Sequence, residues 1–357
     1  MSDSFFVKSQ VREQYQVHFI ENLQEQLTTI ADHKNVIFIV DKKIASLFKG
    51  DFKLAIAGIR YVMIDASESN KTVEYSQEII RKLINVEVRK DDCLVAVGGG
   101  ITQDLVAFIT SILFRGVEWK FFPTTLLAQC DSCIGSKSSI NFDQFKNLIG
   151  TFNPPSEIFI YPGFLDTLSE SEIRSGIGEM LHYFFTEGVG LAQKVSDKFN
   201  ILLNDRSSLN YFITNSLRIK KRIIEVDEFD TSIRHIFNYG HTFGHAIEAI
   251  TCYEIPHGQA ISIGMDLANY LSLSRNMICK DQFDEMHNIL IKNIPSFRFT
   301  SDNIDHYYIA LSKDKKNKGN QLGCILTFGP GKMGKYFVNM DDSLRSVILA
   351  YSNIYLH

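Results

Sequence analysis

The chain has 357 residues and a formal charge of −4, from 37 Lys plus Arg against 41 Asp plus Glu. That near-balance excludes a protein held to nucleic acid by a broad basic face, though a local basic pocket stays open. With 45% apolar and 22% charged residues the chain is too apolar to be disordered, and its length suggests two domains.

Met1 to Gln10 lacks the basic start and apolar run of a leader, and no apolar stretch reaches the roughly 18 residues of a membrane span. A cytoplasmic protein with no membrane or nucleic-acid partner is therefore expected. Six cysteines are scattered; Cys130 and Cys133 form a C-x-x-C, but no second pair follows at zinc-site spacing, so reduced thiols are expected.

In chain order, Asn35 to Val40 is a β-branched apolar run ending at Asp41, and reads as a buried strand. Tyr61–Ile64 reads as a second. Thr72 to Val86 has helical periodicity, with Val73, Ile79, Ile80 and Leu83 on one side. Cys93–Val97 is a third strand running into Gly98-Gly99-Gly100. Thr102 to Leu113 reads as a helix, and Trp119–Phe122 as a strand ended by Pro123-Thr124-Thr125. Strands alternating with helices imply a mostly parallel sheet covered on both faces. At Ser169 the pattern changes: a hydroxyl cap precedes Glu170 and Glu172, and helical patterns continue to about residue 294. In the last third one segment is strand-like, Gln321 to Phe328. The expectation is an α/β nucleotide-binding domain over 1–168 and a mostly α-helical metal- and substrate-binding domain over 169–357.

Three groups of residues carry chemistry. Gly98, Gly99 and Gly100, between a strand and a helix, would let a diphosphate approach the backbone at a helix N-terminus. The triplet is not a G-x-G-x-x-G and would equally suit a bare tight turn. Asp41, at the end of an earlier strand, stands where a ribose-binding acid would, or simply in a turn. Second, His241 and His245 lie four apart on one helix face, and His257 follows, so three of the ten histidines fall within 17 residues. From spacing alone the metal ligands would be His241, His245 and one carboxylate, with Glu179 on an earlier helix as a candidate. Surface histidines on a helix are the alternative. Third, Arg115, Asp131, Lys137, Lys146, Asn147, Lys220, Arg234, Asn238 and Asp314-Lys315-Lys316 are polar groups amid apolar sequence. Gathered together they would suit a phosphorylated anion; taken singly, each reads as a solvated charge.

The segments Gly98–Asp104, Phe114–Gly116, Pro123–Gln129, Asp131–Lys137 and Lys146–Gly150 occur in the order and spacing of the 3-dehydroquinate synthases. So do Glu179, Asn238–Glu248 and His257-Gly258, and the resemblance runs from about Asp41 to Gly331. Taken together these motifs are specific for the sugar phosphate cyclase superfamily, in which the chain resembles 2-deoxy-scyllo-inosose synthase and the valiolone-type cyclases more loosely. The resemblance implies an NAD- and metal-dependent carbon–oxygen lyase, and a homodimer. Its reaction would be transient oxidation of a ring alcohol, loss of phosphate, reduction, and intramolecular aldol closure, with no net redox change.

By the same resemblance the zinc (or cobalt) ligands would be Glu179, His241 and His257, which moves His245 to the substrate phosphate and proton transfer. Asp41, Glu68, Lys71, Gly98, Gly99, Gly100, Asp104, Thr124, Thr125 and Lys146 would fall in the NAD site. Lys137, Asn147, Asn238, His245 and Lys316 would hold the phosphate end, with Arg115 arriving from a neighbouring subunit. Asp131 would meet a substrate hydroxyl, and Lys220 and Arg234 the substrate carboxylate. That pair of cations favours a phosphorylated keto-sugar acid: 3-deoxy-D-arabino-heptulosonate 7-phosphate, giving 3-dehydroquinate, or its amino analogue in a paralogous cyclase of specialised metabolism.

The chain departs from the family pattern at three places. His182 stands where the family has a lysine that contacts substrate hydroxyls. It is read as a substitute donor, as the mark of a paralogue with another sugar phosphate, or as an added metal ligand, since Glu-x-x-His lies on one helix face. Gln103 and Ser136 each replace a glycine.

Overall fold

The computed structural model describes residues 4–33, 35–55, 58–143, 145–314 and 316–356; Lys315, one of the candidate cations, lies outside them. The described residues divide into two compact units, Met1–Leu168 with Ile224–Phe229, and Ser169–Ile223 with Asp230–His357.

The first unit is α/β. Its strands are β1 (Phe5–Ser9), β2 (Glu13–Phe19), β3 (Val36–Asp41), β4 (Arg60–Ile64), β5 (Cys93–Gly98), β6 (Glu118–Pro123), β7 (Ile140–Phe142), β8 (Phe145–Ile149) and β9 (Glu157–Ile160). Its helices are α1 (Leu23–Ala31), α2 (Lys42–Leu47), α3 (Lys49–Ala55), α4 (Val73–Asn85) and α5 (Gly100–Ile112). Seven strands form one sheet in the order β1-β2-β9-β6-β5-β3-β4, parallel except for the β1–β2 hairpin at one edge, while β7 and β8 pair apart from it. Val36, Phe38 and Val40 pack with Leu23, Leu27 and Ile30 of α1, while the intervening Ile37 and Ile39 are fully buried on the opposite face. A strand buried on both sides has no polar alternation, which is why β3 and β5 read as continuous apolar runs. β3 leads to β4 on one side and β5 to β6 on the other, so the order reverses between β3 and β5, where Asp41 and Gly98 end their strands. Such a switch point is where open α/β sheets bind ligands.

The sheet also carries a cross-strand charge cluster. Glu157 of β9 is flanked by Gln16 of β2 and Lys120 of β6. It meets His18 Nε2 at 3.1 Å and pairs with the Lys120 ammonium. The His18 hydrogen bond, helped by Lys120 against the opposing effect of burial, lowers the Glu157 carboxyl to about 2.

The second unit is helical: α6 (Glu170–Glu187), α7 (Gly190–Asp197), α8 (Phe199–Asn204), α9 (Leu209–Ile224), α10 (His241–Ile250), α11 (His257–Ser274), α12 (Lys280–Leu290), α13 (Ser301–Ser312) and α14 (Asp342–Tyr355). Ser169 caps α6 in a capping box with Glu172. The strand expected at Gln321 is β10 (Gln321–Thr327), and it pairs with β11 (Met333–Asn339), whose mixed sequence gave no strand signal.

α11 packs against both α6 and α10 through glycine. A Cβ on Gly178 of α6 would collide with the Gly258 carbonyl, and one on Gly258 with the Ser175 carbonyl. On the other side, a Cβ on Gly264 would collide with the Gly240 carbonyl and lie 2.7 Å from Gly244 N. These are backbone-on-backbone contacts that any side chain would force apart.

Two outcomes follow. Gly258→Ala should lower unfolding stability by about 3 kcal/mol, the upper part of the overpacking range; Gly190→Ala, whose Cβ would meet nothing within 4 Å, should change it little. Urea titrations compare them. Glu157→Gln should cost about 1–2 kcal/mol at pH 7. Because the folded carboxyl titrates below the unfolded value of 4.5, that difference should shrink as pH falls from 4.5 toward 2. Urea midpoints measured at pH 7, 5 and 4 test the sign.

Candidate active site

The glycine crossings determine where the ligand-type side chains lie. Gly178 is followed by Glu179, and Gly258 is preceded by His257, so the α6–α11 crossing sets that carboxylate beside that imidazole. Pro256 ends the preceding loop and makes His257 the first residue of α11. Gly240, at a left-handed φ of 80°, turns the chain so that His241 begins α10.

Glu179 is 3% exposed. Its Oε1 lies 3.5 Å from His241 Nε2 and its Oε2 3.4 Å from His257 Nε2. Oε2 is buried and, among the described residues, accepts no hydrogen bond. Burial alone would raise this carboxyl, but the imidazoles of His241, His257 and His182 outweigh it and hold Glu179 well below the usual carboxylate range. Both ligand-type imidazoles turn their Nδ1 outward to an acceptor: His241 to the Tyr239 carbonyl at 3.2 Å, His257 to Glu248 Oε2 at 3.1 Å. Desolvation opposes charge on His257, yet Glu179 and Glu248 on either side raise it above the ordinary histidine range.

His245, one turn along α10, completes a group whose ring nitrogens, with those of His241 and His257, lie within 4.8 Å of one another. His245 is an exposed residue of α10, and among the described residues no hydrogen bond holds it. Surrounding protein, then His241, His257 and Lys316, push it well below the ordinary imidazole range. His182 differs again: it is 1% exposed, 2.9 Å from the Glu179 carbonyl through Nδ1, and packed against Tyr183, Phe237 and His241. A buried carboxylate oxygen without a donor, facing imidazole Nε2 atoms whose Nδ1 atoms are already engaged, fits a dication of the zinc or cobalt kind.

In the same unit Lys220 and Arg234 are buried cations, on α9 and on the 3₁₀ turn Ile233–Asn238 that leads to Gly240. Asn238 ends that turn and donates to the His235 carbonyl. Lys316 pairs with Asp314 at 3.1 Å.

In the α/β unit Gly99 caps α5 with no side chain, and a Gly100 Cβ would meet only Ser132 Oγ, at 3.9 Å. The bare helix N-terminus fits a diphosphate. Thr124 N donates to the Gly98 carbonyl, and Thr125 Oγ1 accepts from Ala128 N, so both threonines stand beside that turn. Asp41 caps α2 through Lys43 N, and burial raises its carboxyl. A second cluster gathers Lys71, which meets Asp104 at 2.6 Å and Asn147 at 2.8 Å, with Ser139 donating twice to Asp104. Lys146 lies 3.5 Å from Glu68, which also accepts from Asn141. Asn147, expected at the substrate phosphate, thus sits with the candidate cofactor residues.

Asp131 lies in a π-helical turn, Ala128–Ser132. Gln103 reaches that turn, donating to the Ser132 carbonyl and accepting from its hydroxyl. Ser136 holds a left-handed φ of 68° beside Lys137, and its hydroxyl donates to Glu228. Arg115 is exposed at φ 63°.

Sequence reasoning missed Glu248, Tyr239, Ser139 and Asn141. Each acts by orienting a neighbour, and such roles have no signature in residue type or spacing.

Residues 61–175 match the family model for the 3-dehydroquinate synthase N-terminal region, and residues 176–317 match its C-terminal counterpart. The 3-dehydroquinate synthase of Clostridium tetani is 32% identical over 341 residues, covering 93% of this chain and 91% of that protein. That of Helicobacter pylori strain P12 is 33% identical, covering 86% and 89%. Among solved structures, 2-deoxy-scyllo-inosose synthase complexed with carbaglucose-6-phosphate, NAD+ and Co2+ superposes with a TM-score of 0.85 at 23% identity, over 98% of this chain and 100% of that one. The 2-epi-5-epi-valiolone synthase of Streptomyces hygroscopicus, with NAD+ and Zn2+, gives 0.83 at 23%, over 95% and 97%. With both regions of the family matched in order and a relative 32% identical along more than nine-tenths of each chain, this protein belongs to the 3-dehydroquinate synthase family.

Proposed function

We propose that this protein converts 3-deoxy-D-arabino-heptulosonate 7-phosphate to 3-dehydroquinate and phosphate, using NAD and a zinc or cobalt ion. The observation that carries the reading, in a chain of this family, is Glu179 flanked by His241 and His257 with both Nε2 atoms toward the carboxylate. These three are the metal ligands of the proposal, in place of the set with His245 that spacing suggested. When bound, the metal supplies a Lewis acid for an alcohol oxygen, and NAD a reversible hydride acceptor.

The chain's own residues do the rest. Gly98, Gly99, Gly100, Thr124 and Thr125 hold the dinucleotide at the α5 N-terminus, with Asp41, Glu68, Lys71, Asp104, Lys146 and also Asn147 around it. Lys220 and Arg234 bind the substrate carboxylate; buried cations with little freedom lose little entropy on doing so. Lys137, Asn238 and Lys316 bind phosphate, and Asp131 orients a hydroxyl. His245, neutral near pH 7 because its charged form is disfavoured, accepts at a ring nitrogen the proton of the substrate C–H beside the oxidised carbon; that bond's electron pair forms the C=C as the C–O bond breaks and phosphate leaves with its electrons. His182, buried against His241, supports the ligand cluster from within instead of meeting substrate hydroxyls. The reading also carries a homodimer in which Arg115 serves the neighbouring subunit, a cytoplasmic setting, and aromatic amino acid biosynthesis by the shikimate pathway.

Phosphate release from the heptulosonate phosphate, followed with and without NAD and after chelation, tests the proposal. Release should need both, and readdition of Zn2+ or Co2+ should restore it; no release with both present sinks it. Arg234→Met should lower kcat/KM about 100-fold, the loss of a charge-assisted carboxylate contact. Glucose 6-phosphate, which has no carboxylate, should be turned over by neither protein.

A further inference from the structure

Glu179 faces two imidazoles whose far nitrogens are held differently. His241 gives its Nδ1 proton to a backbone carbonyl, that of Tyr239. His257 gives its own to a carboxylate, Glu248 Oε2 at 3.1 Å. Glu248 lies on α10, seven residues after His241, and is largely buried, its side chain 13% exposed. It therefore spans from the helix that bears one ligand-type imidazole to the first residue of the helix that bears the other. A carboxylate on Nδ1 fixes the tautomer with the lone pair on Nε2, fixes the ring plane, and makes the ring a stronger electron donor than a carbonyl does.

We propose that Glu248 is the positioning residue of the metal centre: it locks His257 Nε2 toward Glu179 and makes His257 the tighter-binding of the two imidazole ligands. This rests on the proposed metal site and assigns a role to a residue outside the ligand set. Glu248 acts through His257 and is not itself one of the proposed ligands, so its effect is on affinity for the ion.

The test is competition for Co2+ between a chromophoric chelator and the metal-stripped, full-length protein, with thermal unfolding of the same metal-stripped samples in parallel. Glu248→Leu removes both charge and acceptor and should weaken Co2+ binding about 10–100-fold. Glu248→Gln keeps an amide oxygen for Nδ1–H without the charge, and should fall between wild type and the leucine variant. The Co2+ visible absorption of Glu248→Leu should also change, because the His257 ring is no longer held in one plane. Wild-type affinity in both variants overturns the proposal. So does a loss of affinity accompanied by an equal fractional loss of folded protein before metal is added. Glu179→Gln separates this from the site itself: if it too binds Co2+ like wild type, the metal reading falls; if only Glu179→Gln loses the metal, the site stands and the role of Glu248 falls.

Discussion

Three helices can bring a carboxylate and two imidazoles together only if their backbones nearly touch, and glycine at the crossings is what permits it. Gly178 meets Gly258 where α6 crosses α11, and Gly240 and Gly244 meet Gly264 where α10 does. Ligand-type residues adjoin these contacts: Glu179 after Gly178, His257 before Gly258, His241 after Gly240. The placement of the cluster is thus a property of main-chain packing, which is stiff, and not of long side chains reaching across a gap. Each of these residues is also within one position of a helix crossing, so a small shift of any helix moves a ligand atom by a similar amount.

The electrostatics follow from that enforced closeness. Taking a carboxylate out of water costs several kcal/mol, and imidazoles at 3.4–3.5 Å recover part of it only while they carry protons. The protein has arranged the cost so that a dication can replace those protons. The depressed carboxyl of Glu179 and the raised His257 are two sides of one attraction, to which Glu248 adds on the far side of the ring. His245 stands apart from His257: desolvation first, and then the cationic groups beside it, disfavour its charged form.

Much of this was legible beforehand, for definable reasons. β3 and β5 are legible as unbroken β-branched and apolar runs because both their faces are buried, and Ser169 with Glu172 announces α6 because a cap is a local interaction. Helix α5 began two residues before its expected start, since Gly100 has no propensity to signal a helix yet opens one after the turn. The β1–β2 hairpin and β11 were silent because their strands mix polar and apolar residues at the sheet edge. Within the site, spacing picked out His241 and His245, four apart on one face, while the imidazoles that face Glu179 are His241 and, from another helix, His257. Tertiary packing sets that juxtaposition, which periodicity does not encode. Asn147 is the reverse case: its contact with Lys71 depends on the β7–β8 hairpin folding back, which no local pattern encodes.

Ser136 adopts a backbone conformation that costs a β-carbon-bearing residue about 1 kcal/mol, and its hydroxyl is bonded to Glu228, which also accepts from Ser9 and the Gln10 amide. Glu228 is encoded far downstream, in the six-residue piece Ile224–Phe229 that belongs to the α/β unit although helical residues precede and follow it. The nucleotide-type half of the molecule is therefore not a contiguous stretch of gene. On the ribosome it stays unfinished until residue 229 has emerged, and a fragment ending at Leu168 would leave Ser9, Gln10 and Ser136 facing a missing acceptor.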